Sequence, residues 1–217
     1  FGLEYNRRVG YEQSMPRPKL LSDDEVLDAT RRVIRRRGPV QFTLADIATE
    51  VGLARSTLIQ RFANRAGLYR KLMERSTSRL PSELAALPGG PGVQGLWRFL
   101  RALVAVLESE RIHEYLLTVV EEMSDPFLGE LACRGSRLIR EAIAERLPET
   151  MADRREVARH LQAVMQGASM QWAVEREGEL SQFVAARLRT ALTLLFPGEV
   201  FAPPEEVAGR GRRGVSA

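Results

Sequence analysis

The sequence predicts an all-α fold: an N-terminal three-helix helix-turn-helix unit joined to a larger C-terminal helical body. Three observations carry this. Apolar residues recur at helical spacing along nearly the whole chain, and no stretch alternates long enough to demand a strand. Ser, Thr, Asn and Asp stand where periodic segments begin, with Gly or Pro where they end. Within "DIATEVGLARSTLIQRF", residues 46–62, a single Gly divides two short periodic segments.

Taken in order, Ser22-Asp-Asp-Glu25 is a capping box with acidic residues at the positive end of a helix. Val26, Leu27, Thr30, Val33 and Ile34 give that helix one apolar face, and Gly38-Pro39 stops it. Thr43-Leu-Ala-Asp46 caps a second helix through Val51, whose buried stripe is Leu44, Ile47, Ala48 and Val51. Gly52 admits a positive φ and turns the chain sharply, with Leu53 plugging the corner. A third helix is expected over 55–62, with Leu58, Ile59 and Phe62 inward and Arg55, Ser56, Thr57, Gln60 and Arg61 outward. Asn64 caps a fourth, with Leu68, Tyr69 and Leu72 inward, and Pro81 is expected to bend or end it. "LPGGPG", residues 87–92, reads as a linker. Longer helices follow over 93–110, 112–123, 126–147, 152–177 and 180–196. The expected organisation is therefore a flexible extension (1–20), a helix-turn-helix unit (21–80), a larger helical body (81–197) and a disordered tail (198–217).

Composition narrows the classes. The 217 residues suffice for a sizeable core. No run of about 18 apolar residues exists, so no membrane partner is expected. The first residues lack the apolar run of a secretory signal. Met15 opens a stretch that reads as a natural start, so residues 1–14 are expected to be an upstream extension. The one cysteine, Cys133, makes no internal disulfide and fits a cytoplasmic protein. Residues 1–75 hold 15 Lys and Arg against 9 Asp and Glu, a net of +6, whereas the remainder is −2. Such asymmetry suits a polyanion partner at one end, or an ordinary solvated surface.

Two short helices joined by a Gly turn form a helix-turn-helix, and the second is narrow enough for the DNA major groove. The same pattern also serves as a plain corner in a helical core. "FTLADIATEVGLARSTLIQRFANRAGLYRKLM", residues 42–73, resembles the DNA-binding region of TetR-type transcriptional repressors. The matching anchors are Thr43, Ile47-Ala48, Gly52-Leu53, Thr57-Leu58, Phe62, Arg65 and Leu68. Ile59 stands where the family commonly has a Tyr that touches phosphate, Arg61 where it often has His, Ala54 where Ser or Thr caps, and Arg65 where Lys is usual.

The resemblance implies a ligand-responsive repressor that binds a double-stranded, palindromic operator as a homodimer and is released by a small-molecule effector. Thr43, Gln60, Arg61 and Arg65 are expected on the DNA backbone, with Tyr69 a weaker candidate. Arg55 and Ser56 are expected at base edges, with Thr57 beside them. Arg7, Arg8, Arg17 and Lys19 could form a basic arm. The resemblance also implies a two-helix contribution to a dimer. On one helix it would comprise Leu161, Val164, Ala168 and Trp172, and on the other Phe183, Val184, Leu188, Ala191, Leu192 and Leu195. The candidate effector lining is Trp97, Leu100, Val104, Tyr115, Val119, Glu122, Met123, Phe127, Leu138 and Met165. Every residue of both sets would serve equally as core.

An enzyme is not expected. Glu110 and His113 have the spacing that puts two metal ligands on one helix face, but a di-iron bundle needs that motif twice and the second half is missing. No nucleophile motif is present, and neither catalytic residues, a metal nor a cofactor is expected.

Overall fold

The computed structural model describes residues 21–107 and 112–203, with the backbone alone described at 112–115, 121 and 122. The described residues form helices and connecting turns without a strand. The helices are α1 (Asp23–Arg37), α2 (Leu44–Val51), α3 (Arg55–Phe62), α4 (Arg65–Ala86), α5 (Val93–Val104), α6 (Ile112–Ser124), α7 (Pro126–Arg146), α8 (Arg154–Glu175) and α9 (Leu180–Leu195).

The caps form as their residue types dictate. The Ser22 hydroxyl accepts from the Glu25 amide at 3.2 Å, and the Glu25 carboxylate accepts from the Ser22 amide at 2.7 Å. Asp125 starts α7 by accepting from the amides of Phe127 and Leu128, with Pro126 in the first turn. At that position the missing proline N–H leaves nothing unsatisfied.

Two apolar clusters organise the chain. The first gathers Val26, Leu27 and Val33 of α1, Phe42, Leu44 and Ile47 around α2, Leu58 and Phe62 of α3, and Leu68, Tyr69 and Leu72 of α4. Leu128 from α7 joins it. The second lies among α5, α7, α8 and α9 and takes in Leu84 from the last turn of α4. Helix α4 thus belongs to both clusters and continues through Pro81, so this proline does not end it. Proline removes one amide and crowds the preceding turn. Beyond it, burial of Leu84 and packing of Leu80 hold the last turn in place.

The stretch read as a linker is a clasp. The Gly92 amide donates to the Arg146 carbonyl at 2.9 Å, and Arg146 Nε donates back to the Gly89 carbonyl at 3.1 Å. The Arg146 guanidinium lies 3.9 Å from the centre of the Phe99 ring. Gly95 approaches this loop so closely that a Cβ there would overlap the Gly90 carbonyl. Residues 199–202, within the stretch that composition assigns to a disordered tail, are held against α5. Phe201 is buried edge-on against Trp97 at 6.2 Å, and Trp97 Nε1 donates to the Ala202 carbonyl at 3.1 Å. An apolar ring with an indole to cover outweighs the flanking Gly, Pro and charge.

Gly95→Ala should therefore lower stability by about 1–3 kcal/mol, the usual range for overpacking. Gly90→Ala, where a Cβ meets open space, should leave it nearly unchanged. Calorimetric unfolding of the two variants separates these outcomes.

Candidate nucleic-acid interface

The N-terminal unit presents α3 on a frame built by local hydrogen bonds. At the start of α2, the Thr43 hydroxyl accepts from the Asp46 amide at 3.2 Å. The Asp46 carboxylate in turn accepts from the Thr43 amide at 2.9 Å and its hydroxyl at 2.8 Å. These bonds, followed by the nearby Arg37 charge, hold the Asp46 carboxyl below the usual carboxylate range. Glu50, at the other end of α2, accepts from Arg36 and from Arg32 of α1, which lower its pKa in the same way. The basic face of α1 is thereby partly committed to α2.

Gly52 then adopts φ 69°, ψ 28°, the left-handed turn that glycine enters without strain, and α3 begins three residues later. Ala54 caps α3 without a side-chain hydrogen bond. At the far end Ala63 sits at φ 64°, ψ −55°, and the Asn64 amide donates across it to the Phe62 carbonyl at 2.8 Å. This is a γ-turn of the positive-φ kind, strained for a residue with a Cβ. It reverses the chain into α4, where the Asn64 side chain accepts from the Gly67 amide at 2.8 Å.

The rotation of α3 about its axis differs from the sequence expectation. Leu58 and Phe62 are buried, but Ile59 is 42% exposed and faces outward with Arg55, Ser56 and Gln60. Two inward positions one turn apart suffice to dock so short a helix, and Ile59 is turned away from them. Arg61 moves the other way: its Nε donates to Asp23 at 2.7 Å and its Nη1 to the Leu21 carbonyl at 2.8 Å. Arg65 lies 4.5 Å above the Phe42 ring and donates to the carbonyls of Phe42 and Val40, at 3.0 and 3.1 Å, and to that of Pro39. Arg61 is expected outward and Arg65 on a phosphate; both side chains tie down the segments flanking α1. Thr43 is exposed but its hydroxyl serves the cap, and Thr57 is half-buried. Arg55, Ser56 and Gln60 are exposed. A groove of about 580 Å³ runs beside this face, lined by Thr43, Leu44, Ala45, Arg55, Ile59, Ala63, Asn64 and Arg65. Of these, the sequence assigns Leu44 to the stripe of α2 and Asn64 to a cap, and it gives no role to Ala45 and Ala63. The i, i+4 phase of Leu58 and Phe62 was the signal that could have found Ala63.

A second set of ion pairs fastens α4 to α1. Arg75 donates to the Asp24 carboxylate at 2.8 Å and to Asp28 at 2.5 Å. The bond from Arg75 lowers the Asp24 pKa. At the opposite face of α4, Arg70 Nε donates to Asp125, the α7 cap, at 2.9 Å.

The remaining expected site residues lie in the body. Leu161, Ala168, Trp172, Val184, Leu188, Ala191 and Leu192 are buried in the chain's own second cluster, and Val164, Phe183 and Leu195 pack against it. What α8 and α9 expose is Met170, Val174 and Leu194, at 55%, 85% and 79%. Among the candidate effector residues, Trp97, Leu100 and Val104 are core, while Leu138 and Met165 pack against it. Val119 is half-buried. Met123 is 83% exposed and Phe127 is exposed under Arg70, so neither lines an interior space. The side chains of Tyr115, Glu122 and His113, with Glu110 and the basic arm Arg7, Arg8, Arg17 and Lys19, lie outside those described. Among the described residues no group of three or more His, Cys, Asp or Glu is arranged to hold a metal, and no helix is long and apolar enough to cross a membrane.

This frame of α1 to α4 is a helix-turn-helix unit. Residues 26–72, the N-terminal unit, match the family described as bacterial regulatory proteins, tetR family. An uncharacterized HTH-type transcriptional regulator of Mycobacterium tuberculosis is 29% identical over 114 residues, 52% of this chain and 56% of that protein. The chain thus spans little more than half the length of that relative. A TetR transcription regulator from Haloarcula marismortui superposes with a TM-score of 0.63 at 15% identity, over 78% of this chain and 93% of that one. The transcriptional regulator FadR from Bacillus subtilis, solved with stearoyl-CoA, does so with a TM-score of 0.51 at 16% identity, over 77% and 96%. At such identities these likenesses establish the all-helical fold.

Two outcomes follow from the frame. Ala54→Ser supplies the missing cap at a backbone of φ −67°, ψ 142°. It should raise stability by about 1 kcal/mol, read as an upward shift of the melting curve. Asp46 and Glu50 have folded-state pKa values below their unfolded ones. The stability they contribute is present above the unfolded pKa and disappears as pH falls through the folded one. The N-terminal unit should therefore weaken on acidification below about pH 4. Asp46→Asn should flatten that dependence in melts followed by circular dichroism.

Proposed function

We propose that the protein is a DNA-binding transcriptional regulator, most simply a repressor, that grips a palindromic operator as a homodimer and lets go when a small molecule binds its C-terminal body. The observation that carries this reading is the exposed face of α3, held proud of its neighbours with Arg55, Ser56 and Gln60 free of protein contacts that would hide them. An α-helix fits the major groove, and an Arg near its start can meet guanine O6 and N7 together. Thr43, Arg61 and Arg65 support the reading indirectly, because they fix the frame that presents α3. Such a protein works where the chromosome is, in the cytoplasm.

The dimer surface we propose is the outer side of α8 and α9, where Met170, Val174 and Leu194 leave apolar area in water. Gly167, with open space around its Cα, would let a partner helix approach closely. Two-fold pairing there would set two recognition helices about one DNA turn apart. For effector release, α4 supplies a route from the body to the recognition helix. It reaches into both clusters, and Arg70–Asp125 and Leu128 couple it to α7. The stearoyl-CoA in the Bacillus subtilis structure supports a ligand in the body of such a fold.

The test is a mobility shift against duplexes selected from a random pool, at two salt concentrations. A tight complex that weakens as salt rises is expected, because phosphate contacts release counterions. Absence of any selected sequence would remove the reading. Arg55→Ala should lose about 10-fold or more on the selected duplex, corresponding to about 1–3 kcal/mol, and much less on random DNA. Val174→Glu with Leu194→Glu should yield monomers by light scattering and weaken operator binding by more than about 10-fold, since each half then binds alone.

A further inference from the structure

The outward face of α3 carries one large apolar side chain, Ile59, on the flank that borders the start of α2. Residues along a helix turn by about 100° each, so Arg55, Ser56, Ile59 and Gln60 share one face. Ile59 lies between Arg55 at one edge and Ser56 and Gln60 at the other. Ala63, one turn further on, continues its line. Ile59 is 42% exposed, and with Leu44, Ala45 and Ala63 it makes the apolar part of the groove of about 580 Å³. Arg61 is turned away from it, to Asp23 and the Leu21 carbonyl, and Arg65, which lines the same groove, is committed to the carbonyls of Pro39, Val40 and Phe42.

A side chain on the exposed side of a groove-facing helix comes within reach of base edges. Isoleucine can neither donate nor accept there, so opposite guanine, cytosine or adenine it would strip water from polar groups and leave them unpaired. The apolar group that the major groove offers is the C5-methyl of thymine. We infer that Ile59 is a specificity-determining residue that reads a thymine methyl in each half-site, with the small Ala45 and Ala63 leaving room for it. The inference rests on the DNA-binding reading above and sharpens it. Side chains at i and i+4 on a helix are about 6 Å apart, and base pairs are about 3.4 Å apart along the duplex. The thymine therefore lies within about two base pairs of the base met by Arg55.

The experiment uses the full chain and a duplex selected by it from a random pool. Each thymine in turn is replaced by deoxyuridine, which removes the methyl and nothing else. One thymine per half-site should show a loss of about fourfold, the effect of one buried methyl-sized group. The other thymines should show little. Ile59→Ala should bind the thymine and deoxyuridine duplexes equally, and Ile59→Val should fall between. Melting curves of both variants, expected near that of the parent because the side chain is half in water, establish that they are folded. Selected binding without a methyl-sensitive thymine, or an unchanged deoxyuridine penalty in Ile59→Ala, overturns the inference while leaving the DNA-binding reading intact. Failure to select any sequence overturns both.

Discussion

Burial of Leu58 and Phe62, one turn apart, fixes the rotation of α3 about its axis, and the chemistry of the outward surface follows from it. A two-turn helix has few inward positions. Once these two are seated among Val26, Ile47 and Leu68, every other side chain has its direction assigned. Ile59 is carried out and Arg61 is carried in toward Asp23. A shift of one residue in that phase would exchange the roles of the isoleucine and its neighbours and give a surface of different chemistry.

The frame around α3 is held largely by charge-assisted bonds to backbone and cap groups rather than by isolated surface pairs. Exposed ion pairs contribute little each. Arg65 differs because one planar guanidinium joins three residues of the approach to α2 through their carbonyls while its face rests on Phe42. Together with the strained Ala63 turn, it sets where α4 begins relative to α3. The Arg75 pairs with Asp24 and Asp28 repeat the theme further along α4. The angle between recognition helix and long helix is thus fixed from both ends.

The all-helical architecture was legible because capping residues and helical periodicity agree at nearly every boundary. The Ser22 and Thr43 boxes, the Gly52 turn and the Pro126 start all form as their residue types require. What was not legible has a common cause. Periodicity identifies a stripe but gives its phase poorly in eight residues, so Ile59 and Arg61 were assigned to each other's sides. In the body it distinguishes apolar from polar but not which apolar stripe meets the chain's own core. Leu161 and Leu188 therefore read as interface, whereas the exposed Met170, Val174 and Leu194 passed unnoticed. Glycine and proline in 87–92 signalled a break and concealed the Arg146 clasp, because the acceptor and donor lie some 50 residues away, beyond local pattern.

Both tryptophans of the chain, Trp97 beneath Phe201 and Trp172 beside Arg176, sit in the second cluster, and the helix-turn-helix cluster contains only Phe42, Phe62 and Tyr69 as its rings. Intrinsic indole fluorescence is therefore an optical channel addressed to one half of the molecule. Loss of the N-terminal half by itself would pass almost unseen at the emission wavelength, whereas far-ultraviolet ellipticity would record it.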